Sequence, residues 1–151
     1  VNVPIAFDSS DICLSTYSQR LAAIRWAECS EKVKCLIVVT ETAVTVRALY
    51  REKPSKPILV VTSNRRTARY LHLFQVIVVL MRGAKESLLR SMAQEALCVV
   101  GWADRSPPAE GRIPDASAIL ISNERIAAGS GGESFIFKVE ELPFVSRNLN
   151  V

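Results

Sequence analysis

The amino-acid sequence predicts an α/β domain: a three-layer, Rossmann-like sandwich around a five-stranded, mostly parallel sheet whose last strand is antiparallel. Three observations predict it. Nearly continuous apolar runs at 35–40 (CLIVVT), 58–63 (ILVVTS) and 76–81 (VIVVLM) have the composition of strands shielded by helices on both faces. Stretches with a three- to four-residue apolar period alternate with those runs, as βαβ units require. Two later runs, 118–122 (AILIS) and 135–139 (FIFKV), are too close for a helical crossover between them, so that pair is antiparallel.

Each element has its own signature. Leu14, Tyr17, Leu21 and Ile24 space a helix ahead of the first strand. Val46, Leu49 and Tyr50 repeat the period before the second. Pro54 and Pro57 bracket the turn into that strand, where neither helix nor ladder needs their missing donors. Asn64 stands as the N-cap of a third helix carrying Ala68, Leu71 and Phe74. Leu88, Leu89, Met92, Ala96 and Leu97 form the clearest stripe of all. The segment 99–116 (VVGWADRSPPAEGRIPDA) then reads as loop, and Gly129, Gly131 and Gly132 give the late connection 124–134 the composition of a ligand-embracing loop. Periodicity does not dictate the strand order.

At 151 residues, 49% apolar and 23% charged, the chain is expected to form one domain over 1–151, with its core at about 14–143. No apolar run approaches the roughly 20 residues of a membrane span. The start, VNVPIAFDSS, has neither the charge nor the cleavage site of a signal peptide. Its lack of an initiator methionine points to a piece of a longer chain. The net charge of +4 comes without blocks of like charge, so no nucleic-acid partner is expected. A nucleic-acid reading through Arg65, Arg66 and Arg69 lacks aromatic platforms and a long basic stripe. Cys13, Cys29, Cys35 and Cys98 form no CxxC pair, and with a single histidine they do not make a structural zinc site. The cysteine usage predicts a reduced, intracellular protein.

In open parallel sheets, ligands sit beyond the carboxyl ends of the strands, where helix N-termini attract anions. Those positions hold Thr40, Thr42 and Thr45 after the first strand and Thr62, Ser63 and Asn64, then Arg65 and Arg66, after the second. Arg82 and Gly83 follow the third, and Ser122 and Asn123 the fourth. No strand ends in a carboxylate, and neither GxGxxG nor GxxxxGK[ST] occurs, which removes the usual nucleotide cradles. His72 falls mid-helix without a nucleophile or carboxylate partner. The residues therefore predict a domain without covalent chemistry. The hydroxyl-rich turn 40–45 (TETAVT) has two readings: Thr40 or Thr42 caps its own helix, or the turn holds a phosphate. Arg65 and Arg66 oppose the dipole of the helix they open, so an anion, a carboxylate partner or solvent must favour them.

The stretch 35–74 resembles the C-terminal α/β domain of pyruvate kinases, with its apolar strand, T-x-[ST]-G-x-[ST] turn, helix, proline-marked turn and second strand. The most specific match is Thr62, Asn64, Thr67, Ala68, Arg69 and Leu71, in the spacing T-x-N-x-x-T-A-R-x-L. The similarity runs from about Leu14 to about Pro143 and takes in Gly129-Ser130-Gly131. It implies a five-stranded sheet with an antiparallel last strand. For the complete enzyme it implies a cytoplasmic, tetrameric glycolytic phosphotransferase acting on phosphoenolpyruvate and ADP, with magnesium and potassium, its active site in a separate barrel of the same chain. For this domain it implies no cofactor and no catalysis, but a small phosphorylated effector. Thr40, Thr42 and Thr45 would hold its phosphate, Gly129, Ser130 and Gly131 would close over it, and Arg125 would add charge. Trp102, Arg105 and Arg112 are candidates for a second phosphate. The alternative is a stand-alone assembly module that uses the strand 135–139 for subunit contact. The sequence departs from the motif at Ala43, which replaces the turn's glycine, and at Val44; if that glycine is needed for positive φ, the turn must distort.

Overall fold

A computed structural model describes residues 12–82, 89–104, 113–126 and 134–147. Its elements are α1 (Ile12–Cys29), β1 (Val33–Val39), α2 (Val44–Arg51), β2 (Ile58–Thr62), α3 (Arg65–Leu71), β3 (Ile77–Leu80), α4 (Leu89–Val99), β4 (Ala116–Ile126) and β5 (Ser134–Phe144). One sheet holds all five strands in the order β3-β2-β1-β4-β5, and only the β4–β5 pair is antiparallel. The predicted fold class is the observed one.

The continuous apolar runs produce three layers because alternate side chains must be covered from opposite sides. Leu36 and Val38 of β1, Ile58 and Val60 of β2, and Ile119 and Ile121 of β4 pack with Ala23, Ile24 and Ala27 of α1, Val46 and Leu49 of α2, and Leu71 of α3. Their neighbours Cys35, Ile37, Leu59, Val61, Ala118 and Leu120 face Ala93, Ala96 and Leu97 of α4. The chain steps outward from β1 to β2 to β3 with helices on one face. It then crosses back under α4 to place β4 on the other side of β1. The direction of winding reverses between β1 and β4, and that reversal is the topological switch point.

Three expectations are corrected. The run 76–81 is not shielded on both faces: β3 is an edge strand, with Ile77 39% and Leu80 43% exposed. The two hairpin strands are longer than their apolar runs. In β5 the antiparallel ladder continues through Glu140, Glu141 and Leu142 to Phe144. Pro143 fits this edge strand, where a missing N–H need not break the ladder. His72 is the exposed C-cap residue of α3 rather than a mid-helix position.

Candidate functional site

The turn after β1 lies at the carboxyl edge beside the switch point. Thr40, 9% exposed, donates its hydroxyl to the Thr42 carbonyl at 2.8 Å and accepts the Thr42 N–H at 3.1 Å. Its proton is thus committed within the turn. Neither Thr40 nor Thr42 is the N-cap of α2: that position is Ala43, which has no side-chain acceptor to offer the helix. The simple capping reading is set aside. Ala43 has φ −83 and ψ −2, an ordinary right-handed conformation, so its replacement of glycine introduces no strain. The Thr42 side chain stands exposed at the mouth, while Thr45, on the first turn of α2, is buried.

The turn after β2 is built differently, and it holds the first one in place. Asn64 caps α3 by accepting the N–H groups of Arg66 and Thr67 at 3.0 and 3.4 Å. The Asn64 N–H in turn donates to Thr62 Oγ1 at 3.1 Å. Asn64 Nδ2 and Thr67 Oγ1 both reach the Glu41 carbonyl, at 3.3 and 2.8 Å. Ser63 donates its N–H and hydroxyl to the two Glu41 carboxylate oxygens, at 3.3 and 2.7 Å. The Thr62–Asn64–Thr67 spacing therefore has a structural meaning: it fastens the 40–43 turn to the neighbouring loop. Arg65, Arg66 and Arg69 are exposed and form no ion pair among the described residues, so water satisfies them.

On the other side of the switch point, Val39 of β1 pairs with Ser122 of β4. β4 continues to Ile126, so the backbone of Arg125 lies roughly 10 Å past the end of β1, on the hairpin rather than in a loop. Gly129, Ser130 and Gly131 lie outside the described residues, as do Arg105 and Arg112. Trp102 is half-buried against the α4-side core, and its carbonyl accepts the Arg147 N–H at 2.9 Å. Sequence reasoning placed the threonines but missed Glu41 as the recipient of the brace; the Thr62–Asn64–Thr67 spacing was its only local signal.

Among the described residues no group of three or more histidine, cysteine, aspartate or glutamate side chains converges to hold a metal ion. No helix among the described residues is long and apolar enough to cross a membrane.

Sheet order, switch point and braced turn define a doubly wound α/β domain whose open loops stand at the sheet's carboxyl edge. The model of the pyruvate kinase alpha/beta domain family matches residues 20–125, and the chain belongs to that family. Over 45 residues it is 40% identical to pyruvate kinase 1 of Candida glabrata, a match covering 30% of this chain and 9% of that protein. Its fold is similar to Cryptosporidium parvum pyruvate kinase, solved in complex with ADP: TM-score 0.62 and 20% identity, over 95% of this chain and 25% of that one. The chain thus spans a quarter or less of the length of these relatives.

Proposed function

We propose that this domain is the effector-binding part of a cytoplasmic, glycolytic pyruvate kinase whose catalytic barrel, with its magnesium and potassium, lies elsewhere in the same chain. The observation that carries the reading is the start of α2, whose N-cap residue Ala43 supplies no side-chain cap, at the switch point of a sheet of this family. Helix N-termini without a side-chain cap present amides to an anion, and switch points are where such sheets bind ligands. The phosphate of a small phosphorylated metabolite is held at the 40–45 turn. Thr42 offers the exposed hydroxyl, Thr40 holds the turn's shape and Thr45 anchors the first helical turn. Arg125 of β4, together with Gly129, Ser130 and Gly131 from the sequence between β4 and β5, is assigned to the same ligand. Calorimetry with a panel of sugar phosphates, fructose bisphosphates among them, and nucleotides tests this. Heat that disappears in the Thr42→Val variant supports it, and absence of heat across the panel overturns it.

A second reading, a subunit-contact module of a homo-oligomer, is favoured by one observation. Among the described residues β5 is an eleven-residue edge strand paired only with β4, and long open edges recruit further strands. Light scattering across a dilution series tests it: association supports the module, and a monomer at every concentration excludes it.

A further inference from the structure

At the opposite end of the sheet from the 40–45 turn, the connection from α2 to β2 borders an open cavity of about 520 Å³. Ile58, buried at the start of β2, lines its apolar side. Tyr50 forms a wall, its ring held edge-to-face by Phe74 at a centroid distance of 5.2 Å and an interplanar angle of 74°. Pro54 and Pro57 stiffen the rim. The charged lining is Lys53 and Lys56; the Glu28 carboxylate accepts hydrogen bonds from Ser55 of the same lining and feels the Lys56 charge, but neither lysine forms an ion pair among the described residues.

Two further observations show that this rim is fixed in advance. Lys53 has φ 49, and no other non-glycine residue among those described has positive φ. Lys53 follows the C-cap of α2 and ends the helix in the usual left-handed way, its N–H on the Tyr50 carbonyl at 3.0 Å, which sets the direction of the rim. The loop beyond it is pinned to α1, because Glu28 accepts the Ser55 N–H at 2.6 Å and the Ser55 hydroxyl as well. Apolar walls with a few convergent polar groups, in a cavity of several hundred Å³, are the general form of a small-molecule site.

We propose that this cavity binds a small aromatic anion, with its charged group between the Lys53 and Lys56 ammoniums and its ring against Tyr50, Ile58 and the two prolines. The site lies at the amino end of β2 and is separate from the phosphate site proposed above, so either can fail alone.

The test is a backbone-amide NMR titration of the full chain with phenyl phosphate, inorganic phosphate and benzyl alcohol. Phenyl phosphate is expected to shift the amides of Lys53, Ser55, Lys56 and Gln75 saturably, and to bind more tightly than either of the other probes. Replacing both lysines (Lys53→Gln with Lys56→Gln) weakens that binding roughly tenfold, the sum of two partly exposed charge contacts. Thr42→Val leaves it unchanged. Shifts that never saturate, inorganic phosphate matching phenyl phosphate, or undiminished affinity in a folded double variant would each overturn the proposal.

Discussion

Ser63 Oγ donates a 2.7 Å hydrogen bond to Glu41 Oε2, joining the loop that follows β1 to the loop that follows β2. With Asn64 and Thr67 on the Glu41 carbonyl, the neighbouring strand's loop dictates where the 40–43 turn stands. The candidate site is therefore shaped from the side, by residues that are not expected to touch a ligand.

The brace predicts non-additivity. Thr67→Val, which removes a part-buried donor to Glu41, is expected to destabilise by about 1 kcal/mol. Asn64→Ala loses the α3 cap as well, for about 1–2 kcal/mol. Because both side chains serve one carbonyl, the double variant should differ from the sum of the singles by at least about 0.5 kcal/mol. Urea denaturation of the four proteins measures this, and strict additivity would deny the shared brace.

Lys53 predicts the opposite sign. Glycine adopts its φ of 49 without steric cost, which outweighs the greater freedom glycine has in the unfolded chain. Lys53→Gly should stabilise the fold by about 0.5 kcal/mol, seen as a raised denaturation midpoint at unchanged slope. A loss of stability would show that the lysine side chain contributes more than its backbone costs.

Glu28 makes a pH-dependent contribution. The Ser55 hydroxyl and then its N–H, followed by the charge of Lys56, hold the Glu28 carboxyl below its ordinary value of 4.5. A depressed carboxylate stabilises the fold fully above that ordinary value and loses its effect as pH falls through the lower, folded one. The stability difference between the wild type and Glu28→Gln should thus be constant near neutrality and shrink once pH drops below 4.5. Denaturation curves across the acid range provide the check, and a difference that grows on acidification would contradict it.

Cys35 is fully buried in β1, and that burial pushes its thiol up to about 12. Because the thiolate is the reactive form, Cys35 should resist alkylation at pH 8 in the folded protein and react only on unfolding. The exposed Cys29 should be modified at once. Peptide mass mapping after a short pulse of iodoacetamide separates the two, and early labelling of Cys35 would show that β1 opens readily.

How much of this was legible follows from which interactions are local. The start of α3 and the runs of β1 and β2 were readable because the Asn64 cap is local to its helix and central strands must be apolar on both faces. The run 76–81 has the same composition yet forms an edge, since strand order depends on a long-range pairing that composition does not carry. The outer parts of β4 and β5 were missed because their regularity comes from pairing: Asn123 and Glu141 lie outside the apolar runs yet keep register opposite Phe137 and Ile119. At the site, the hydroxyls of Thr40 and Thr42 could be picked out. That Thr40 closes a local turn on Thr42 instead of capping α2 is a choice composition does not rank, and that Glu41 receives Ser63, Asn64 and Thr67 depends on β1 and β2 lying side by side.

The most direct test of the central claim is the thermal and amide-shift response to fructose bisphosphate, in the wild type and in Thr42→Val. The account predicts shifts centred on Thr42 to Val46 and a stabilisation of about 2.7 kcal/mol at one hundred times the dissociation constant. In Thr42→Val the fold should keep its stability to within about 0.5 kcal/mol, as surface substitutions do, while the ligand response collapses. Shifts confined to other parts of the sheet, or a Thr42→Val response equal to the wild type's, would contradict the claim that the turn after β1 receives the anion.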